Sequence, residues 1–458
     1  MRIEEIETSL SSFQLYALFK DDPCSFFLDS GMDHGKLGQY SFIGSDPLWS
    51  FQSKGKVITV RREGRTDVFA GNPLEALKKL LSEYSMDCRT ALPFAGGAVG
   101  YFGYDFNRPV HDASQPPPDD LEIPDCFVGL YDGIIAVDHG RGKVFLAALG
   151  IKADEETVLG NLRQRIKAAK TDGPAEKTAC GSRPTGLEAN MTRDEYLAAI
   201  GRIKDCIAAG DVYQVNFTQR FQCALEESPF EVYGRLREIN PAPFACMMDF
   251  GQGHILCSSP ERLLKISGKT AETRPIKGTC PRGRTASEDR NNLAALLASE
   301  KNRAELLMIV DLERNDLGKV SKPGTIRVTE IFHPETYPTV HHLAATVTGV
   351  LRDEYDALDC LAAIFPGGSI TGAPKIRAME IIDELEPSAR GVYTGAIGYI
   401  GLNGDADLNI AIRTILCKDR KAYFQAGGGI VWDSDGAMEY QESLDKAKAL
   451  KEALMGRS

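Results

Sequence analysis

The hydrophobic and polar positions in the first third of the chain fall into short β-branched and aromatic runs separated by Gly and Asp turns. Residues 25–30 (SFFLDS), 40–44 (YSFIG), 57–61 (VITVR), 96–104 and 127–138 predict strands. Helical spacing covers residues 73–84 and, from about 154 to 169, a second stretch. Residues 170–190, rich in Gly, Pro, Thr and Ser, predict a linker between an N-terminal domain (1–169) and a larger second domain (191–458). Thr192 with Glu195 three positions on has the spacing of a capping box and predicts a helix that ends near Gly210. GAVGYFG at 97–103 is echoed by GAIGYIG at 395–401, either as two glycine-bent strands of one large antiparallel sheet or as an internal duplication. Neither run is a G-x-G-x-x-G fingerprint, and SITGAPK at 369–375 lacks the G-K-[ST] of a P-loop, so nucleotide binding has no support.

Composition narrows the classes. With 458 residues, 43% of them hydrophobic, the chain can build a continuous core. The N-terminus, MRIEEIETSL, is acidic where a secretory signal is basic, and no run is apolar over the length of a membrane span. Eleven cysteines without a C-x-x-C pair or a Cys/His cluster argue against zinc and against a disulfide framework, and fit a reducing compartment. A cytoplasmic location is expected. The net charge of −11 repels nucleic acid and acidic membrane surfaces, so an anionic ligand would need local cations or a metal.

The candidate chemistry lies after residue 190. In the C-terminal helical stretch Glu439, Glu442 and Lys446 are three and four apart and share one face. That face is either a solvated ion pair or, with the AGGGI run at 426–430 able to approach a ligand closely, one wall of a site. Glu305 precedes the apolar run 306–310 and sits at a core edge or is held inward to bind. Paired carboxylates without soft ligands favour Mg²⁺, and Glu305 with Glu442 suits that description, although nothing in the sequence brings them together. Lys277, in PIKG, is either a surface lysine in a turn or an amine nucleophile. The second role requires its pKa to be depressed by desolvation or by a cation such as Arg274 or a metal.

These segments, with SPER at 259–262, resemble the chorismate-binding family: anthranilate synthase large subunits, aminodeoxychorismate synthase component I, isochorismate and salicylate synthases. The resemblance runs from about Thr192 to the C-terminus, and more loosely through FFLDS and YSFIGSDP. It implies an α+β, anthranilate-synthase-like fold of large antiparallel sheets packed face to face with helices outside. It further implies that Glu261 is the general acid for a departing ring hydroxyl, that Glu305 and Glu442 hold Mg²⁺, and that Glu439 and Asn302 form its outer shell. Asn302 departs from the acidic residue usual there. Gln214, His342, Thr371, Tyr399, Arg413, Gly427, Gly428, Gly429 and Lys446 become substrate-positioning groups.

Gln214 stands where water-adding members carry a lysine base, and Lys277 stands where anthranilate synthases usually carry alanine. Gln214 argues against isochorismate and salicylate synthesis, and PIKGT is similar to aminodeoxychorismate synthases. The implied reaction takes chorismate to 4-amino-4-deoxychorismate, for 4-aminobenzoate and folate, through addition of Lys277 at ring C2 and then ammonia at C4. Ammonia is expected from a separate glutamine amidotransferase subunit. Anthranilate formation is the nearest alternative, and a noncatalytic chorismate-binding regulatory subunit the alternative of another class.

Overall fold

The computed structural model describes the chain except residues 87–89, 107, 109–115, 170–183, 185, 338–339 and 457–458. Two antiparallel sheets, each of twelve strands among the described residues, carry the fold. In the first sheet the N-terminal strands end on Phe26–Asp29, which pairs with Phe244–Asp249 in the register Phe27↔Met247. That sheet continues through His254–Ser259, Thr414–Lys418, Lys421–Ile430 and Gln214–Ala224. In the second sheet Gly97–Phe102 pairs with Ala396–Gly401 in the same way. Most of the 170–190 linker lies outside the described residues, and Glu188–Ala189 at its end adds a short strand beside Gln214–Ala224. The boundary between 169 and 191 thus divides the chain in sequence, while both sheets run across it.

The two echoing glycine runs are neighbouring strands, with Gly100 opposite Gly398. Their glycines have a steric cause: a Cβ on Gly100 would stand 2.0 Å from the Phe127 carbonyl oxygen, and one on Gly398 2.0 Å from that of Asp407. The expected strand 127–138 is two strands, Cys126–Tyr131 in the second sheet and Gly133–Asp138 in the first. The chain changes sheet at Asp132, whose buried carboxylate accepts the amides of Ile151 (3.1 Å) and Lys152 (2.8 Å). Periodicity cannot register such a switch, because both halves are equally apolar.

The sheets face each other across an aromatic core that includes Phe26, Phe42, Tyr101, Phe127, Tyr131 and Ile255. Helices close the outer faces: Ser12–Ala17, Glu155–Ala169, Pro229–Ile239 and Gly436–Met455 on the first sheet, and Pro73–Ser82, Glu300–Gly318 and Ala357–Ile364 on the second. The capping box forms at Arg193–Ala209: Thr192 Oγ1 accepts the Glu195 amide, Glu195 Oε2 accepts the Thr192 amide at 2.7 Å, and left-handed Gly210 ends the helix. The described cysteines are all unpaired. No helix among the described residues is long and apolar enough to cross a membrane.

Candidate active site

A cavity of about 550 Å³ opens where the two sheets meet helices Glu300–Gly318 and Gly436–Met455. Its wall brings together Glu261, Lys277, Asn302, Glu305, His342 and Arg413, joined by Gly427, Gly429, Glu439, Glu442 and Lys446. These residues come from positions up to 185 apart in the chain, so only the packing of the sheets unites them.

Lys277 lies on strand Ile276–Pro281 and donates from Nζ to the Ser369 carbonyl at 3.1 Å. Burial lowers its pKa below the ordinary lysine value; Glu305 opposes this, Lys446 adds to it, and Glu261 and Glu442 oppose it. Arg274, expected as the depressing cation, does not act on the amine. Its guanidinium is committed to Glu330, Glu335 and Thr346, because alternation along the strand turns it to the opposite side.

Glu261 is buried, and its Oε1 accepts the Ile276 amide at 3.1 Å. Burial raises its pKa, while the nearby Ser369 hydroxyl, the Ile276 amide and Lys277 pull it down. The Ser369 hydroxyl itself completes no hydrogen bond. A carboxyl held up by burial beside an amine held down by burial is the pairing that an acid and a nucleophile need.

On the opposite wall Lys446 bridges Glu442 Oε1 (2.6 Å) and the Gly427 carbonyl (2.9 Å). The ion pair that spacing offered as a solvated alternative therefore exists, but it faces the cavity. Burial works to raise the Glu442 pKa, yet Lys446 and Lys277 outweigh it and keep that carboxyl below its usual value. Glu439 is buried, accepts the Ser434 hydroxyl at 2.7 Å, and is pushed up by burial and by Glu442. The glycine run is a strand rather than a loop: Gly427, Gly428 and Gly429 pair with Thr218, Phe217 and Asn216. Gly427 and Gly429 line the cavity, Gly427 offering the carbonyl that accepts Lys446. A Cβ on Gly428 would come within 3.2–3.5 Å of Glu442, Glu439 and Lys446, so glycine there leaves room for the carboxylates.

Arg413, at φ +53°, donates to the Lys446 carbonyl, and no carboxylate among the described residues forms an ion pair with it. An unneutralised guanidinium on a cavity wall is a ready anion site. His342 is held neutral, its pKa lowered to about 4 by burial and by Arg413, and its Nδ1 meets the Thr279 hydroxyl at 2.9 Å.

Four residues expected to position a ligand, Tyr399, Thr371, Gln214 and Gly428, do not line this cavity. Tyr399 faces the core between the sheets, stacked on Phe94 with centroids 4.5 Å apart, and lines a different cavity of about 410 Å³. The tyrosine on the site wall is Tyr393, six residues earlier in the turn before the strand. The sequence offers two tyrosines in one run, and only the fold separates them: Tyr393 stands in the turn at the cavity, Tyr399 in the strand that faces the core. Thr371 is fully buried, with its hydroxyl donated to the Gly367 carbonyl at 2.9 Å. Gln214 lies behind the glycine strand against Gly429, fully buried, with both amide atoms unpartnered. Asn216, Ser369, Ile370 and Gln425 also line the cavity, and nothing in their spacing had marked them.

The donors suit a hard cation. Formally, Lys277, Lys301, Arg413 and Lys446 face Glu261, Glu305, Glu439, Glu442 and Asp445, so a dianionic ligand would enter a wall with no surplus positive charge. Among the described residues no three metal-ligating side chains converge into a cage. Mg²⁺ needs only one or two protein carboxylates when substrate and water complete its octahedron, so Glu305 and Glu442 fit it.

The chain matches the family described as chorismate binding enzyme over residues 25–452. It is 40% identical to aminodeoxychorismate synthase component 1 of Bacillus subtilis, over 92% of this chain and 91% of the relative. It is 39% identical to anthranilate synthase component 1 of Acetivibrio thermocellus, over 98% and 93%. The crystal structure of anthranilate synthase component I from Streptococcus pneumoniae superposes with a TM-score of 0.82 at 34% identity, covering 90% of this chain and 92% of that one.

Proposed function

The chain belongs to the chorismate binding enzyme family, and from that premise we propose that it is the aminating subunit that converts chorismate and ammonia to 4-amino-4-deoxychorismate. The relatives leave two reactions equally close, amination with and without loss of pyruvate. What favours amination without loss of pyruvate is Lys277: an amine depressed by burial, on the same cavity as the buried acid Glu261.

Arg413, Tyr393 and the Gly427–Gly429 edge take one substrate carboxylate, and neutral His342 offers a hydrogen bond without adding charge. Glu305 and Glu442 would hold Mg²⁺, with Glu439 and Asn302 behind them, and the ion would supply the positive charge that the second carboxylate requires. The neutral Lys277 amine adds to ring C2 as the double bonds shift and the C4–O bond breaks, Glu261 giving its proton so that water leaves. The lysine–C2 ammonium returns a proton to Glu261, ammonia then adds at C4 as the C2–N bond to lysine breaks, and the new C4 ammonium gives its proton to the departing lysine nitrogen. The product keeps its enolpyruvyl ether. Ammonia delivered by a glutamine amidotransferase partner completes the proposal, as does a cytoplasmic location.

The test is product identification by mass after incubating the purified chain with chorismate, ammonium and Mg²⁺. Aminodeoxychorismate is expected. Anthranilate with pyruvate would replace this reading by the anthranilate synthase reaction, and chorismate bound but unchanged would make the chain a regulatory subunit. Chelation of Mg²⁺, or Glu305→Gln or Glu442→Gln, should weaken binding and turnover together; full activity in a chelator would remove the metal from the scheme.

A further inference from the structure

Helix Glu300–Gly318 carries a second carboxylate that the chemistry above does not use. Glu313 lies two turns beyond Glu305, is 2% exposed, and forms no ion pair among the described residues. Its Oε1 accepts the Gly368 amide at 3.2 Å and its Oε2 accepts the Thr273 hydroxyl at 3.3 Å. The adjacent cation, Lys375, is engaged by Asp316 and by the Ile364 carbonyl. A buried carboxylate without its own cation is costly, and an apolar side chain would fill the same space more favourably. Burial pushes the Glu313 carboxyl up to about 7.

What Glu313 holds is a short turn. Gly368–Ile370 is a single 3₁₀ turn, and Ser369 within it carries the carbonyl that receives Lys277 and the hydroxyl that stands beside Glu261. Gly368 allows this approach, since a Cβ there would sit 2.5 Å from Leu312 Cδ2 and 3.4 Å from Glu313 Oε1. Thr273, on the other oxygen, belongs to strand Thr270–Arg274, which leads through Pro275 into the strand bearing Lys277. One carboxylate therefore ties the helix to both segments that place the amine.

We propose that Glu313 is a positioning residue: by holding the Gly368 amide and the Thr273 hydroxyl together, it sets the Ser369 turn that orients Lys277 and Glu261. This rests on the roles given to those two residues above, and it adds a determinant outside the cavity wall. The groups facing Glu313 are Asp316 on its own helix, Lys375, Cys360 and Glu261. Those facing Lys277 are Glu305, Lys446, Glu261 and Glu442.

The test compares Glu313→Met, which fills the space without an acceptor, Glu313→Asp, which keeps the charge but withdraws it by one methylene, and Glu313→Gln, which restores an acceptor without charge. Chorismate consumption with ammonium is measured whatever the product. With Met or Asp, kcat should fall about 10- to 100-fold while KM changes less than about threefold, as expected for misplaced reacting groups. Gln should recover kcat to within about fivefold of the unmodified chain.

Labelling of Lys277 by an amine reagent at fixed pH, read by peptide mass, needs no turnover. Loss of the Ser369 acceptor destabilises the ammonium, so Met and Asp should label roughly threefold faster, about half a pKa unit, and Gln should not. Folded Met and Asp variants with unchanged kcat and unchanged labelling would overturn the proposal. So would a Gln variant as impaired as Met, which would make charge rather than tethering the function. If the chain consumes no chorismate, the functional reading falls and labelling alone decides, unchanged rates again counting against the tether.

Discussion

Replacing Arg390 by Met should damage the fold and the site together, because one guanidinium joins elements that meet behind the cavity. Arg390 makes a two-pronged pair with Glu386 (2.9 and 2.7 Å) and donates to the carbonyls of Ile370 (2.9 Å) and Asn216 (2.7 Å). Both side chains are buried, at 1% and 3% exposure, and the Arg390 guanidinium stacks over Tyr104. Glu386 in turn accepts the Thr218 amide and hydroxyl at 3.0 and 2.8 Å. Removing the arginine leaves a buried carboxylate uncompensated, which costs about 3–5 kcal/mol. For 458 residues unfolding as a unit, an entropy of about 2.1 cal/mol/K per residue sums to roughly 1 kcal/mol per degree. Tm should fall by roughly 3–5 °C, as one transition, because both sheets contain strands from both ends of the chain.

Glu386→Gln in the Arg390→Met background should recover part of the loss, about 1–2 kcal/mol, by removing the stranded charge. Calorimetry of the parent, Arg390→Met and the double variant measures this. Chorismate KM should rise in parallel, since Asn216 and Ile370 line the cavity. An Arg390→Met protein with Tm within about 1 °C of the parent and an unchanged KM would show that the other contacts already fix these elements and would refute the reasoning.

Lys277→Ala should slow amination strongly while chorismate still binds, and intact mass during turnover should show a substrate-derived adduct on the parent and none on the variant; parental rates in the variant would end the covalent scheme. Arg413→Lys keeps charge but loses the planar fork, so chorismate KM should rise without a change in Tm, whereas an unchanged KM would make Arg413 structural. Tyr393→Phe should raise KM and Tyr399→Phe should leave it unaltered, the reverse result restoring Tyr399 to the site. The native His342 pKa lies near 4, below its ordinary 6.5, so between these values the unfolded chain binds a proton that the native state refuses. Stability should therefore fall as pH drops from about 6.5 to about 4, by up to roughly 3 kcal/mol, and His342→Gln should flatten that slope in melts at pH 7 and pH 5.

Local rules made much of this protein legible in its sequence. The capping box at Thr192 and the glycine-bent strands at 97–103 and 395–401 depend on residues within a few positions of one another or on steric demands of single strands. Resemblance of the PIKG, SPER and C-terminal helix motifs to the chorismate-binding family also marked Lys277, Glu261 and Glu442, where residue type and spacing alone left Lys277 open as a turn lysine and Glu442 as half of a solvated ion pair. Tertiary structure alone decided which of these face one another. Lys277, Glu305, Arg413 and Lys446 share a wall because distant strands pair, and Arg274 is lost to Glu330 and Glu335 because a strand alternates. The same packing brings the Tyr393 turn to the cavity and leaves Tyr399 in the core between the sheets. A pattern of period two tells which residues share a face, but which face meets the cavity depends on the partner sheet, and that information lies hundreds of residues away.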